Sequence, residues 1–173
     1  MLTSLTSIKG CCLISLCCIN LLPTLALESD KGERVVWSAE GNSSMYVDGA
    51  KRILNMKDNV KVTQGSLEIS GEEAVFEYSV DSNELIRVTV HGSPVRYQQA
   101  LDEASSRVVG SSDTILFYRD PMSDEMIVEL VGKANIESPD STMDCAAITY
   151  IADRDLIREA TGPCEGSLSS ASN

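Results

Sequence analysis

From residue 60 onward the chain reads as short runs of alternating apolar and polar positions, separated by turn residues. Val60-Lys61-Val62-Thr63 alternates, and so does Leu67-Glu68-Ile69-Ser70. Ala74-Val75-Phe76-Glu77-Tyr78 is apolar on one face and mixed on the other, and Leu85-Ile86-Arg87-Val88-Thr89-Val90 is rich in β-branched residues. Period-two alternation and β-branching predict strands. Asp81-Ser82-Asn83 and Asp120-Pro121-Met122-Ser123-Asp124 supply turn chemistry between them. A helical period is almost absent after residue 26, so the pattern predicts an all-β fold. Residues 98–107 are mostly polar and read as a long loop between strands.

The runs also repeat. Ala74-Val75-Phe76-Glu77-Tyr78, Thr114-Ile115-Leu116-Phe117-Tyr118 and Ala146-Ala147-Ile148-Thr149-Tyr150 each end in Tyr, and each is followed by an Asp-bearing turn at Asp81, Asp120 or Asp153. A second strand then ends at Gly92, Gly132 or Gly162, 14, 14 and 12 residues after the Tyr. A weaker first copy runs from Met45-Tyr46 to Asp58-Asn59, with Asp58 where the glycine would be. From Asp58 through the three glycines the spacings are 34, 40 and 30 residues. Periods of this size mark stacked supersecondary units, none of which can bury its apolar face alone. The glycines suit corners that need positive φ or close backbone approach. The repeat therefore predicts an elongated, two-layered or V-shaped β stack with an apolar interior; the alternative is an ordinary closed β-sandwich.

Alternation assigns an inner face. Carried down the repeat, it aligns Leu67, Ile69, Phe76, Tyr78, Val95, Tyr97, Leu116, Tyr118, Ile136, Ile148 and Tyr150 on one side, with Val35 and Trp37 extending the stripe at the N-terminal end. On residue pattern alone this stripe is equally a hydrophobic core. An open stack also leaves unpaired strand edges at its ends, near residues 34–38 and 155–162, which could serve in strand addition.

Composition changes the picture at the N-terminus. Residues 1–26 carry Lys9 as their only charge, an apolar stretch over residues 11–22, and Pro23-Thr24-Leu25-Ala26. This apolar run is shorter than the ~20 residues that span a bilayer, and the segment has the form of a cleaved export signal; an uncleaved anchor is the alternative. Four of the six cysteines lie in it, leaving Cys145 and Cys164, and two cysteines in an exported protein suggest one disulfide; two free thiols are the alternative. Of 173 residues, 14 are basic and 26 acidic, for a net charge of −12. A chain this acidic repels nucleic acid and anionic membrane surfaces. The organisation that follows is a signal peptide at 1–26, one domain at 27–164 and a disordered Ser-rich tail at 165–173.

Catalytic chemistry finds little support. His91 is the only histidine, and with two cysteines it makes a poor zinc set. A sugar-active β-solenoid enzyme would need paired carboxylates, for which Glu72, Glu73 and Asp113 are the candidates. The reading favours no catalytic residue, no metal and no cofactor.

Asp58-Asn59-Val60-Lys61-Val62-Thr63-Gln64-Gly65 resembles the Gly-Asn-Val-x-Val-x-Gln-Gly segment of the OstA-like family of lipopolysaccharide-transport proteins. Trp37-Ser38-Ala39-Glu40 is similar to that family's first strand, Gly92-Ser93-Pro94-Val95-Arg96-Tyr97-Gln98 to its Gly-x-Pro-x-x-aromatic-Gln corner, and Gly132-Lys133-Ala134-Asn135-Ile136 to the next corner. The resemblance covers residues 34–163. It implies an OstA-like β-jellyroll, open along one side, that holds lipopolysaccharide acyl chains against the inner stripe in the periplasm. It further implies head-to-tail self-association, an LptC-like inner-membrane partner at the N-terminal edge and an LptD-like outer-membrane translocon at the C-terminal edge. Within the same pathway the alternative is a membrane-anchored, LptC-like protein.

Overall fold

In the computed structural model, which describes residues 30, 32–101 and 106–169, ten strands form one antiparallel sheet. They are β1 (Val36–Ser38), β2 (Ser43–Asp48), β3 (Lys51–Gln64), β4 (Leu67–Ser79), β5 (Leu85–Ala100), β6 (Arg107–Arg119), β7 (Met126–Ser138), β8 (Ser141–Ile151), β9 (Leu156–Thr161) and β10 (Glu165–Leu168). The order is β1-β3-β4-β5-β6-β7-β8-β10, with β2 also on β3 and β9 also on β8. Each long strand turns back into the next, as the Asp-, Asn- and Gly-bearing turns predict.

Six long strands carry the sheet, and each of the five pairings between them is interrupted at the same height. The pairing register shifts between Lys57 and Val60 on β3, Ser70 and Glu73 on β4, His91 and Val95 on β5, Ser111 and Thr114 on β6, and Val131 and Ala134 on β7. Lys57, Glu73, His91, Thr114, Val131 and Ala147 stand in one cross-strand row beside these bulges. A bulge bends its strand and increases the local twist. A row of them creases the sheet, so that its two halves face each other as layers. The first layer holds β2, residues 51–57, 73–79, 85–91, 114–119, 126–131 and 147–151 of the long strands, and β9. The second holds β1, residues 60–64, 67–71, 95–100, 107–112, 134–138 and 141–145, and β10. Among the described residues each layer thus has eight strands. The layers are in contact across the interior. Tyr97 of β5 meets Tyr150 of β8 at 6.0 Å between ring centroids, and Trp37 of β1 meets Phe76 of β4 at 6.4 Å, although neither pair lies on neighbouring strands.

The crease explains the repeated corners. Gly132 adopts φ 80°, a left-handed conformation that suits glycine, and a Cβ on Gly92 would lie 3.2 Å from the Val95 nitrogen. Asp58 stands at the corner of the first copy with φ 63° and Asn59 follows with φ 50°; short polar side chains are the ones that tolerate this region. Gly162 shows neither positive φ nor crowding and needs no glycine on that account.

Two expectations are corrected. Residues 98–100 continue β5 and Arg107 opens β6, so the polar stretch is strand at both ends; Leu101 is buried between them and residues 102–105 lie outside the described residues. Polarity there does not mark a loop: Gln98 is half-buried and Gln99 is buried. The tail is ordered over its first half: β10 pairs with β8 from Glu165↔Asp144 to Leu168↔Ser141. The export signal at 1–26 lies outside the described residues.

Candidate functional site

The space between the layers is the candidate site. Of the sequence-assigned inner residues, Leu67, Ile69, Phe76, Val95, Tyr97, Ile136, Ile148 and Tyr150 are all buried there. Val35 and Tyr78 are partly buried against the same cluster, and Tyr78 stacks on Phe76 at 6.4 Å. Trp37 touches Phe76 but remains 43% exposed at the N-terminal end.

Leu116 and Tyr118 are misassigned. Ile115 and Phe117 are the buried residues of β6, at 0% and 1% exposure, and Leu116 and Tyr118 point outward. Thr114-Ile115-Leu116-Phe117-Tyr118 is apolar on both faces, so alternation within it does not choose a side. The neighbouring strand does. Phe117 pairs with Val128 and Ile115 with Leu130, whereas Leu116 pairs with Glu129. The Tyr118 hydroxyl donates to Glu129 Oε1 at 2.5 Å on the outer face; burial, that hydrogen bond and the Glu129 charge push its pKa up to about 12. Glu129 was the sequence signal that could have fixed the register.

The interior is filled by side chains. A cavity bounded by Asp30, Gln64, Leu67, Gln99, Met126, Ala152 and Asp153 measures about 10 Å³. Larger hollows open at its rim, among them one of about 210 Å³ beside Ser66, Gln99 and Arg107, one of about 160 Å³ at the C-terminal end beside Ile136, Tyr150 and Ile157, and one of about 130 Å³ beside Val35, Leu85, Phe117 and Met126. Drug-sized ligands occupy pockets of roughly 300–1,000 Å³, so long acyl chains fit only if the layers part.

Besides Ser112 at the crease, a polar group set interrupts the apolar interior, and nothing in the sequence pattern marked it. Asp30, Gln64 and Gln99 are buried on the side opposite the crease. The Tyr97 hydroxyl donates to Gln99 Oε1 at 2.6 Å and the Tyr150 hydroxyl to Asp155 Oδ1 at 2.8 Å. Burial, then the Asp155, Asp30 and Asp153 charges, push the Tyr97 pKa well up; burial, then Tyr97 and Asp155, do the same to Tyr150. Both phenols are held protonated, as donors.

The candidate catalytic carboxylates are spread over the outer crease. Glu73 pairs with Lys57 at 3.2 Å and Asp113 with Lys133 at 3.4 Å, while Glu72 is exposed. His91 Nδ1 lies 3.1 Å from Thr114 Oγ1 on the surface. Among the described residues no group of His, Cys, Asp and Glu could hold a metal ion.

Both ends carry edge strands. The N-terminal edge is broader than residues 34–38: β2, exposed along its whole length, continues it in the first layer with Met45, Tyr46 and Val47 uncovered. At the C-terminal end β9 edges the first layer and β10 the second. Cys145 and Cys164 are joined by a disulfide beside the crease, between these two strands.

Comparisons with known proteins agree with this architecture. A family profile described as LptA/(LptD N-terminal domain) LPS transport protein matches residues 41–155. The chain belongs to this family. Its fold matches the crystal structure of LptH, the LptA-homologous periplasmic component of the lipopolysaccharide transport device of Pseudomonas aeruginosa. The TM-score is 0.64 at 19% identity, over 82% of this chain and 99% of that one. No curated protein matches the sequence. The LptA-like fold is thus an all-β jellyroll built from an open, creased sheet, in a family of transport proteins rather than of enzymes.

Proposed function

We propose that this protein carries lipopolysaccharide across the periplasm without catalysing a reaction, holding acyl chains between its layers and leaving the charged head group outside. The observation that carries the reading is the continuous apolar lining of both layers, from Leu54 and Val62 at one end to Ile136 and Ile148 at the other. Net charge supports the division of labour. An acidic protein gains nothing from anionic sugar phosphates, whereas each buried methylene contributes about 0.8 kcal/mol.

End-to-end assembly is the second half of the proposal. Eight strands alternating in direction occupy each layer, so the last strand of one copy and the first of the next meet antiparallel in both layers at once. β9 would add to β2 and β10 to β1, continuing the lining past Met45 and Val47. Such a stack would join an LptC-like partner at the N-terminal edge to an LptD-like translocon at the C-terminal edge.

Photo-crosslinking in cells tests the lipid site. A crosslinker at Phe117 should yield a lipopolysaccharide adduct, and one at Leu116, a residue away on the outer face, should not. An adduct from Leu116 with none from Phe117 would overturn the interior as the lipid site.

A further inference from the structure

A carrier with a filled interior needs a place where lipid enters. The crease closes one long side of the stack. On the opposite side the strand ends of the two layers face each other, and there a buried polar set on the second layer holds a ring contact with the first. Asp30, 8% exposed, sits on the β3–β4 turn: the Ser66 N–H donates to its Oδ1 at 3.0 Å and the Ser66 hydroxyl to its Oδ2 at 2.5 Å. Gln99 Nε2 donates to the same Oδ2 at 3.4 Å, and Gln99 Oε1 receives the Tyr97 hydroxyl. The Tyr97 ring then meets Tyr150 of the other layer edge-on, and Tyr150 is anchored to Asp155.

Two further observations tie Asp30 to this seam. It bounds the residual cavity together with Met126 of the first layer and Ala152 and Asp153 of the β8–β9 turn, so it stands where the layers meet. The turn is also shaped to receive it, since a Cβ on Gly65 would come within 2.9 Å of the Asp30 Cα. Among the described residues no buried side-chain polar atom lacks a partner, so the chain of bonds is complete as it stands. Opening the seam parts Tyr97 from Tyr150, the contact that this set holds in place.

We propose that Asp30 is the positioning residue of an acyl-chain portal on the side opposite the crease. Its carboxylate holds Ser66 and Gln99, these hold Tyr97 against Tyr150, and lipid enters between the layers when that contact is released. The ligand class is a lipid with long saturated acyl chains. The proposal rests on the carrier reading.

The test uses the protein as exported, a fluorescent long-chain fatty acid as probe, and stopped-flow association beside thermal melting. Asp30→Ala should speed association about tenfold, because Gln99 loses its anchor and Tyr97 is held less firmly against Tyr150. Tyr97→Phe keeps the ring but removes the hydroxyl, and should speed association as well. It keeps the test decisive if Asp30→Ala folds poorly. Glu40→Ala, at the crease, should leave the rate unchanged. Wild-type rates in both Asp30→Ala and Tyr97→Phe would overturn the portal while leaving the carrier reading intact, and so would an equal acceleration by Glu40→Ala. If neither wild type nor any variant takes up the probe, the carrier reading fails and the portal with it. Faster uptake confined to the two portal variants, beyond what their melting temperatures account for, supports the assignment, because a purely structural role for Asp30 would move melting alone.

Discussion

The two ends of the stack solve one problem with different bonds. At each end the chain edges one layer, crosses the crease and edges the other. At the N-terminal end residues 39–42 make the crossing between β1 and β2, held by Glu40 N–H to Asp58 O at 2.8 Å, Gly41 N–H to Lys57 O at 2.9 Å and Asn59 Nδ2 to Glu40 Oε1 at 2.8 Å. At the C-terminal end residues 162–164 cross between β9 and β10, and the Cys145–Cys164 disulfide holds them. Neither pair of edge strands is fixed by burial: β2 and β10 are exposed throughout, and Leu168 is 83% exposed. An edge left uncovered is not secured by burial, so the constraint moves to the crossing. There the Lys57 and Asp58 carbonyls of β3 accept from the N-terminal crossing, and at the C-terminal crossing a covalent bond takes their place.

The largest expected effect comes from removing that bond. Cys145→Ser should cost about 3 kcal/mol for a loop of this size, which in a chain of this length lowers the melting temperature by roughly 10 °C. Amide exchange should rise first in β9 and β10. Glu40→Ala, the counterpart at the other end, removes one exposed hydrogen bond and should cost about 0.5 kcal/mol. Equal losses from the two changes would erase the distinction between the ends.

A second test asks whether the ends are complementary. Lysine on an edge strand discourages strand addition. Val47→Lys on β2 and Leu156→Lys on β9 should each leave the protein monomeric in sedimentation. Mixed together they should form dimers and nothing longer, because each copy keeps one competent end. Dimers from either variant alone would instead mean that like ends pair.

The smallest effect is electrostatic. Burial raises the Glu77 pKa, but hydrogen bonds from Lys51 and Arg87, and their charges, outweigh it and hold the carboxyl below its ordinary value of 4.5. A depressed folded pKa contributes stability that is complete above the unfolded value and is lost as pH falls through the folded one. Acid should therefore loosen the N-terminal end, where Glu77 ties β3, β4 and β5. Exchange below pH 4.5 should rise in those strands, and Glu77→Gln should remove the pH dependence.

Much of this architecture was legible in residue order. Alternation gave the strands, and the Tyr-to-Gly spacing gave the stacked units whose corners are the crease. Register was legible only where one face is polar. Leu67-Glu68-Ile69-Ser70 assigns itself, whereas the apolar run at 114–118 needed Glu129 on the next strand. The bulge adds to the difficulty, because on β6 it moves the buried positions from Val108 and Ser112 to Ile115 and Phe117, reversing their parity. Asp30 left no trace in any pattern, because its partners Ser66 and Gln99 lie 36 and 69 residues away. The ordered start of the tail was hidden for a related reason: β10 has a polar composition and is held by pairing with β8, not by apolar burial.

The aligned bulges have a mechanical consequence. Ladder bonds are interrupted along a single line, so the sheet is stiff on either side of that line and compliant across it, like two boards joined by a spine. Rotation about such a hinge has one soft direction, and displacement grows with distance from the axis. Six or seven residues separate the hinge from the far rim, a lever of about 20 Å, so a turn of about 10° would separate the rims by about 3 Å while leaving every strand pairing within each board unchanged.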